Sequence, residues 1–453
     1  MSAAFRVESW SLDMTLRATL CALSLAFLAA AASASPVLMI SIDGLRPADI
    51  IEAKKKGLNL PHLTAFLKES AYATGVRNVL PTVTYPDHTT LITGVWPDKH
   101  GIGNNETFDP LSKNLGGWYW YASDIKVPTL WDAVHDKKGI VDSVGWPVSV
   151  GTPSIDYNLP EYWRAQTADD IKLLVALSTP GLVPRLAKDT GLPPYALFGE
   201  EPKHDVGRTR YAQKMLEFTF PEFMTVHLVS LDHYQHTYGP DSAESKAALE
   251  QLDTDVGDLI ASARKTMANV TIAIVSDHGF AAVHAEADIG KAFADAGLVT
   301  LDPKTHKIVA WDAIPWNAGG SSAIVLAKPD DQGVKDKVVA VLNKLQADPS
   351  SGVARWIDKA GIDARGGSTK ASFWVDYKIG YSAGSSFTQQ MPTTLKGTHG
   401  YFPDNKEMRA TFMIAGPGIK AKNLGEIDMR DIAPTLAKIL EVQLPTANGK
   451  PLF

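Results

Sequence analysis

Three aspartates in this chain of 453 residues stand directly after short apolar runs. The aspartates are Asp43 after 37–42, Asp232 after 224–231 and Asp277 after 270–276. Runs of this length, rich in β-branched residues and separated by helical stretches, are typical of buried strands in a parallel sheet. Because ligands in open α/β sheets bind beyond the carboxyl ends of the strands, we expect the three carboxylates to converge.

Histidines accompany these aspartates at spacings that suit metal binding. Asp232 and His236 form a D-x-x-x-H pair, and His278 follows Asp277 directly. His399 stands in the glycine-flanked loop G-T-H-G-Y. Carboxylate and imidazole ligands together suit Zn²⁺, with iron or manganese as alternatives. Two further histidines near Asp232 lack such a setting, and we interpret His227 and His233 as decoys rather than ligands.

A threonine stands where a helix is predicted to begin. The run P-T-V-T-Y-P-D-H ends a loop, Pro86 suits a first helical turn, and Gly94 ends the helix. Free backbone N–H groups at a helix start attract phosphate. A hydroxyl at Thr84 could attack phosphorus there once a metal lowers its pKa. The alternative is that Thr84 only caps the helix.

Five segments together resemble the nucleotide pyrophosphatase/phosphodiesterase family, also called type I phosphodiesterases, of the alkaline phosphatase superfamily. The segments are V-L-M-I-S-I-D-G-L-R, P-T-V-T-Y-P-D-H with the following T-T-L-I-T-G-V-W-P-D-K-H-G-I-G-N-N, S-L-D-H-Y-Q-H-T-Y-G-P, V-S-D-H-G and G-T-H-G-Y. They occur in the order that the family has and span most of the chain after residue 36. The resemblance implies an α/β fold, an alkaline-phosphatase-like three-layer sandwich with a mostly parallel central sheet and an inserted smaller subdomain.

The resemblance also implies the catalytic machinery. It implies two Zn²⁺ ions per chain and the hydrolysis of phosphodiester or phosphoanhydride bonds through a phosphothreonine intermediate. The implied ligands are Asp43, Thr84, Asp277 and His278 for one zinc, and Asp232, His236 and His399 for the other. Thr84 would be the nucleophile, and Asn105 would donate to a phosphate oxygen. The substrate would be a small phosphodiester or a nucleotide.

Some positions depart from the family pattern and bear on substrate choice. Tyr85 and Asp87 stand where the family usually has Phe and Asn, and the base-stacking Tyr of many members falls on Gln166. We expect the Tyr85 ring to lie at the mouth of the site, with Tyr162 or Trp163 as an opposite wall that binds substrate.

Two related activities and one inactive role are alternatives. A phosphomonoesterase would need an extra cation for the more highly charged phosphate, and Arg164 and Lys113 are candidates for it. A phosphonoacetate hydrolase shares the ligand set. A catalytically inactive binding protein would have little reason to keep every ligand position filled.

The rest of the chain indicates an exported enzyme. Arg17 precedes the apolar run 18–32 and an A-S-A site, so we expect a signal peptide at 1–34 that contains the single cysteine, Cys21. The catalytic domain would cover 35–453, with insertions at about 151–205 and 285–391. The absence of further cysteines favours a bacterial periplasmic or secreted protein. We expect no membrane span in the mature chain, and the net charge of −6 argues against a stable nucleic-acid complex.

Overall fold

The computed structural model describes residues 34–453 except 115, 165, 166, 168 and 390. The predicted signal peptide up to residue 33, with Cys21, lies outside the described residues, as does Gln166.

The strands of the described residues fall into one large sheet and several small ones. In chain order they are β1 (Val37–Ile42), β2 (Ala71–Tyr72), β3 (Gly75–Arg77), β4 (Val141–Val144), β5 (Tyr157–Leu159), β6 (Phe223–Leu228), β7 (Thr271–Val275), β8 (Ala281–Ala282), β9 (Ala285–Ala287), β10 (Val299–Leu301), β11 (Ile308–Trp311), β12 (Ala313–Ala318), β13 (Ser321–Leu326), β14 (Val353–Asp358), β15 (Phe373–Tyr377), β16 (Tyr381–Ala383), β17 (Gly397–Thr398), β18 (Phe412–Ala415), β19 (Lys422–Asn423) and β20 (Glu426–Asp428).

The helices surround these sheets. In chain order the α-helices are α1 (Pro47–Ile51), α2 (Ala53–Lys56), α3 (Pro61–Glu69), α4 (Thr84–Thr93), α5 (Pro97–His100), α6 (Leu130–Asp136), α7 (Asp170–Leu177), α8 (Leu182–Thr190), α9 (Pro202–Thr219), α10 (Ser230–Tyr238), α11 (Ala243–Thr266), α12 (Ile289–Asp295), α13 (Gln332–Ala347), α14 (Lys359–Asp363) and α15 (Ile432–Ile439).

The large sheet has eight strands in the order β19-β2-β18-β7-β1-β6-β4-β5. Its pairings are parallel except those that β18 makes with β7 and β2. Along β1, Leu38 and Ile40 pack into one buried cluster while Val37 and Met39 pack into another, so both faces are covered. The first cluster includes residues of α3, α9 and α11, and the second includes residues of α4, α6 and α15. This arrangement confirms the predicted three-layer α/β sandwich with a mostly parallel sheet.

The central strands β1, β6 and β7 bring two of the three aspartates together. Ser41 of β1 is in register with His227 of β6 and Val275 of β7, so Asp43 and Asp277 leave the sheet at the same edge. The third apolar run does not continue as a strand up to Asp232. Strand β6 ends at Leu228, and Asp232 lies in the first turn of α10.

A smaller four-stranded antiparallel sheet, in the order β12-β13-β15-β14, carries the helix α13 and has its own buried cluster. It lies inside the segment 285–391 that we predicted to be an insertion. In the other predicted insertion, 151–205, strand β5 joins the edge of the large sheet. The boundaries of both insertions stay predictions.

No helix within the described residues combines the length and the apolar character that a membrane crossing requires.

Candidate active site

The first group of predicted ligands meets at the carboxyl edge of the large sheet. The Nε2 atom of His278 lies 3.4 Å from Oδ1 of Asp43 and 3.1 Å from Oδ2 of Asp277. The Oγ1 atom of Thr84 lies 3.4 Å from the same Nε2 atom. The ligand atoms of Asp43, Asp277 and His278 all lie within 4.8 Å of one another, which is close enough to share one metal ion.

The second group lies directly beside the first. Asp232 places its carboxylate oxygens 3.5 Å from Nε2 of His236 and 3.6 Å from Nε2 of His399. The rings of His278 and His399 are stacked, with centroids 3.6 Å apart. His278 therefore lies within reach of both groups, although the family resemblance assigns it to the first zinc alone.

The chemistry of this donor set fits a metal centre. Burial raises the pKa values of Asp43, Asp232 and Asp277, and the charge of Asp277 raises those of Asp43 and Asp232 further. One carboxylate oxygen of each of the three is buried without a hydrogen-bond partner. A buried negative charge without a partner costs free energy. A cation bound between these crowded and unpaired oxygens would remove that cost.

The three histidines are oriented as metal ligands. Their Nδ1 atoms face backbone carbonyl oxygens, at 2.9 Å for His236 with Gly397, 3.0 Å for His399 with Thr82 and 3.1 Å for His278 with Gly279. An Nδ1–H that donates to a carbonyl leaves the lone pair of Nε2 available for a metal. Burial lowers the pKa of His399 to about 3 and that of His236 to about 4, so both rings are neutral near pH 7.

Thr84 is presented by the helix rather than used to cap it. The helix α4 begins at Thr84, the preceding Val83 occupies the cap position, and no side chain makes a cap hydrogen bond. Thr84 is 7% exposed. The carbonyl oxygen of Thr84 accepts a hydrogen bond of 2.8 Å from Nδ1 of His88, which fixes this first turn. The alternative reading of Thr84 as a simple N-cap is therefore wrong.

Asn105 lies next to the start of the same helix. Its Oδ1 atom accepts a hydrogen bond of 2.8 Å from the backbone N–H of Tyr85. Because the carboxamide oxygen is used in this way, the Nδ2 group remains as the donor on the other side of the amide. This orientation suits the predicted role of donating to a phosphate oxygen.

The sequence does not predict that His227 contacts the ligand cluster or that Glu161 contacts His227. His227, which we interpreted as a decoy, is buried and places Nε2 3.1 Å from Oδ2 of Asp43. Its Nδ1 atom lies 2.9 Å from Oε2 of Glu161, which is itself buried. Burial alone would lower the pKa of His227, but the hydrogen bond and charge of Glu161 and the charge of Asp277 raise it. The sequence feature that could have identified His227 is a histidine inside the otherwise mostly apolar strand β6.

The expected position of Tyr85 is wrong. Its side chain is 0% exposed and packs among buried apolar residues such as Leu80 and Phe402, because the second position of α4 faces the protein interior. The half-buried ring of Trp118 meets Tyr85 edge-on, with centroids 5.2 Å apart. Trp118, and not Tyr85, therefore presents an aromatic surface to the neighbouring cavities.

A cavity of about 490 Å³, which we call the first cavity, contains the other predicted substrate-binding residues. Tyr162, Trp163, Trp118 and Glu161 line it. The indole Nε1 of Trp163 donates a hydrogen bond of 3.0 Å to Glu161, so the first cavity adjoins the His227–Asp43 side of the ligand cluster. The role of Tyr162 and Trp163 in substrate binding stays a prediction.

The two candidate cations for a monoester site differ in position. Arg164 lines the first cavity, with its guanidinium carbon 4.9 Å from the centre of the Trp120 ring. Lys113 is exposed and lines neither this cavity nor the one beside His399.

Comparisons with known proteins identify the family of this chain. The sequence model of the family described as "Type I phosphodiesterase / nucleotide pyrophosphatase" matches residues 37–402. An uncharacterized pyrophosphatase/phosphodiesterase of Schizosaccharomyces pombe is 23% identical over 92% of this chain and 79% of its own length. The bis(5'-adenosyl)-triphosphatase enpp4 of Mus musculus is 25% identical over 55% of this chain. That match spans 48% of the mouse protein, so this chain corresponds to about half of it.

Solved structures share the fold. Murine ectonucleotide pyrophosphatase/phosphodiesterase 5, as an inactive variant in complex with AMP, superimposes with a TM-score of 0.66 at 19% identity. The match covers 92% of this chain and 97% of the murine one. The human counterpart gives a TM-score of 0.63 at the same identity and the same coverage. The family model matches most of this chain, and the fold brings the family motifs into one cluster. This chain belongs to the type I phosphodiesterase/nucleotide pyrophosphatase family.

Proposed function

We propose that this protein hydrolyses phosphodiester or phosphoanhydride bonds with Thr84 as the nucleophile. The observation that carries the proposal is the position of the Thr84 hydroxyl. It is not a helix cap, and it lies 3.4 Å from a histidine of the ligand cluster. With a metal held by this cluster, a hydroxyl in this position would be activated as a nucleophile.

We propose two Zn²⁺ ions as the cofactors, because carboxylate and neutral imidazole donors suit zinc. Asp43, Thr84, Asp277 and His278 would hold one ion, and Asp232, His236 and His399 would hold the other. When bound, the ions would lower the pKa of the attacking hydroxyl and stabilise the negative charge that develops on the leaving oxygen.

The residues of the chain supply the remaining steps. Thr84 Oγ1 gives up its proton to solvent and forms a bond to phosphorus. The bond to the leaving oxygen breaks on the side of Asp232 and His399, and the leaving oxygen keeps the electron pair and takes up a proton from water. The Nδ2 group of Asn105 and the N–H of Thr84, which has no acceptor within its helix, donate to the non-bridging oxygens. The product on the protein is a phosphothreonine ester that keeps the non-leaving group of the substrate. Water then attacks its phosphorus and restores the hydroxyl.

A nucleotide is the substrate that we propose for this site. The murine neighbour was solved with AMP, and the mouse relative is named for a bis(5'-adenosyl) substrate. The aromatic side chains of the first cavity could stack on a base, an interaction worth about 1–3 kcal/mol per base. A phosphomonoesterase is the second candidate, because Arg164 lies in the same cavity.

A substrate panel tests these proposals on the zinc-loaded protein. We expect turnover of p-nitrophenyl thymidine 5'-phosphate and of bis(p-nitrophenyl) phosphate at a higher kcat/KM than that of p-nitrophenyl phosphate. A preference for p-nitrophenyl phosphate would overturn the diesterase proposal and favour the monoesterase.

We also propose that the protein is exported to the periplasm or secreted. The proposal rests on the Arg17 segment, the apolar run after it and the A-S-A site. Fractionation of a bacterial host that expresses the whole chain tests it. Retention of a full-length protein in the cytoplasm would contradict it.

A further inference from the structure

A second cavity, of about 560 Å³, opens on the other side of the ligand cluster. His236, His399 and Asn105 line it, so it begins at the ligand group that contains Asp232. Trp118 lines both this second cavity and the first one. A substrate held at Thr84 can therefore extend in two directions, one into each cavity.

The direction of bond breaking decides which part of the substrate enters the second cavity. Thr84 contacts His278, beside Asp43 and Asp277. In an in-line displacement the leaving oxygen departs on the side opposite to the nucleophile. That side is the Asp232 group, where the second cavity begins, so the leaving group enters the second cavity and the non-leaving group enters the first.

The charges along the two cavities differ. Glu106 and Asp109 line the second cavity, and no lysine or arginine lines it among the described residues. The wall of the first cavity includes both signs of charge, with Arg164 and Arg208 beside Glu161 and Glu200. Between positions 34 and 453, the structure does not describe Leu115, Ala165, Gln166, Ala168 and Gln390. None of these five residues has a charged side chain.

Aromatic rings complete the wall of the second cavity. Phe108 packs edge-on against Trp316, with centroids 5.6 Å apart, and both line the cavity. Lys370 lies 5.8 Å from the centre of the Trp316 ring but is not a lining residue. Aromatic faces beside carboxylates favour apolar or cationic groups and disfavour anions.

We propose that the second cavity selects the leaving group and that it accepts a neutral or cationic alcohol in preference to an anionic group. The substrate class would then be phosphodiesters with an organic leaving alcohol rather than phosphoanhydrides that release pyrophosphate or a nucleotide. This inference rests on the proposed function, since it assumes that Thr84 attacks a substrate with two arms.

Three diesters of adenosine 5'-phosphate test the proposal, because they share the non-leaving group. Their leaving alcohols are choline, the uncharged choline isostere 3,3-dimethylbutanol, and 3-hydroxypropanoate. We expect kcat/KM on the wild type to be lowest for the 3-hydroxypropanoate ester. The alcohols differ in intrinsic reactivity, so a single comparison of substrates does not isolate the effect of the cavity. The decisive quantity is the kcat/KM of the choline ester divided by the kcat/KM of the 3-hydroxypropanoate ester, compared between variants.

The Glu106→Gln variant should lower this ratio roughly three- to ten-fold, because it removes one charge from the cavity wall. The Glu217→Gln variant makes the same change on α9, at a residue that lines neither cavity, and should leave the ratio unchanged. Raising the salt concentration should also lower the wild-type ratio. A ratio that Glu106→Gln does not change, or wild-type protein that prefers the 3-hydroxypropanoate ester, would overturn the proposal.

Binding provides a readout that does not depend on turnover. Calorimetry with the Thr84→Ala variant should give a tighter Kd for the choline ester than for the 3-hydroxypropanoate ester. An equal or reversed order would contradict the selection. If the wild type hydrolyses p-nitrophenyl phosphate but none of the three diesters, the proposed diesterase function fails as well.

Discussion

At the scale of single residues, the candidate metal ligands contact side chains that hold them in place. His227 connects Asp43 with Glu161. Glu161 lies 66 positions before His227 along the chain. Both ring nitrogens face carboxylates, so the imidazole holds Asp43 in one orientation. Partners of this kind tune metal affinity and activity.

The His227→Gln variant should lose about 10- to 100-fold in metal affinity or kcat/KM, because Asp43 loses a fixed partner. His233→Gln is the matched control, since His233 pairs with Glu200 and not with Asp43. Metal retention after dialysis against a graded series of chelator concentrations measures the effect. Equal metal retention by both variants would show that His227 does not position Asp43.

We propose Trp118, whose ring lines both cavities, as the aromatic residue that meets the substrate. Trp118→Ala should raise KM for a nucleoside diester roughly 5- to 150-fold, the equivalent of about 1–3 kcal/mol of stacking. Its effect on methyl p-nitrophenyl phosphate should be smaller, since that substrate has no base. Tyr85→Ala should instead impair both substrates alike and mainly in kcat, because the buried ring supports the Thr84 turn. A nucleotide-specific effect on KM from Tyr85→Ala, with none from Trp118→Ala, would reverse this assignment.

At the scale of elements, apolar runs in the sequence predict a strand where the burial of the strand's own residues is enough to define it. The buried strand β1 matches its apolar run from Val37 to Ile42, because every residue of the strand is buried. The run before Asp232 was predicted as strand to its end, but Val229 adopts a helical conformation and α10 begins at Ser230. Apolar character alone does not distinguish a strand from a buried helical turn.

The elements that were missed depend on their neighbours rather than on their own composition. Strand β12 contains Pro315 and Asn317, and strand β14 contains Arg355. Both lie at the edges of the smaller sheet, where proline and charged residues are tolerated. The residues of the ligand cluster could be predicted as candidates because each lies in a short local motif. The Glu161–His227 contact was not, since only the fold brings its two halves together.

The short helix α5 ends at a buried histidine that should make stability depend on pH. Nδ1 of His100 accepts a hydrogen bond from the N–H of Ile102, and burial lowers the pKa of His100 to about 3. The unfolded chain takes up this proton near pH 6.5, so the unfolded state binds more protons between pH 6.5 and 3. The stabilisation that the neutral ring provides is complete above pH 6.5 and is lost as the pH falls.

Between pH 7.5 and 5, His100 should cost the wild type about 2 kcal/mol of unfolding free energy. His100→Asn keeps an acceptor for Ile102 but cannot titrate, so its stability should fall less over the same interval. Urea unfolding at both pH values measures the difference. Parallel losses in the two proteins would contradict a neutral buried His100.

At the scale of the whole molecule, the fold brings ligands from distant parts of the chain into one cluster. Asp43 and Asp277 follow strands of the large sheet, Asp232 and His236 lie on α10, and His399 follows β17. The layers on both faces of the sheet hold these elements in place. The cluster should therefore bind metal only in the folded chain.

Elemental analysis should find two zinc ions per folded chain, and chelation should abolish turnover until Zn²⁺ is returned. Asp277→Asn should lower the zinc content mainly at the site that includes Asp43. His399→Ala should lower the zinc content mainly at the site that includes Asp232. Each variant should retain about one metal. A single metal in the wild type would contradict the proposal of two ions.

Covalent catalysis by Thr84 can be tested directly by trapping the covalent product on its hydroxyl. The zinc-loaded protein is mixed with p-nitrophenyl thymidine 5'-phosphate, quenched in acid during turnover, digested, and examined by mass spectrometry. We expect a thymidine 5'-phosphoryl group on the hydroxyl of Thr84. Thr84→Ala should show no such adduct and should retain less than a tenth of the wild-type kcat. Full turnover by Thr84→Ala, or an adduct on another residue, would show that Thr84 is not the nucleophile.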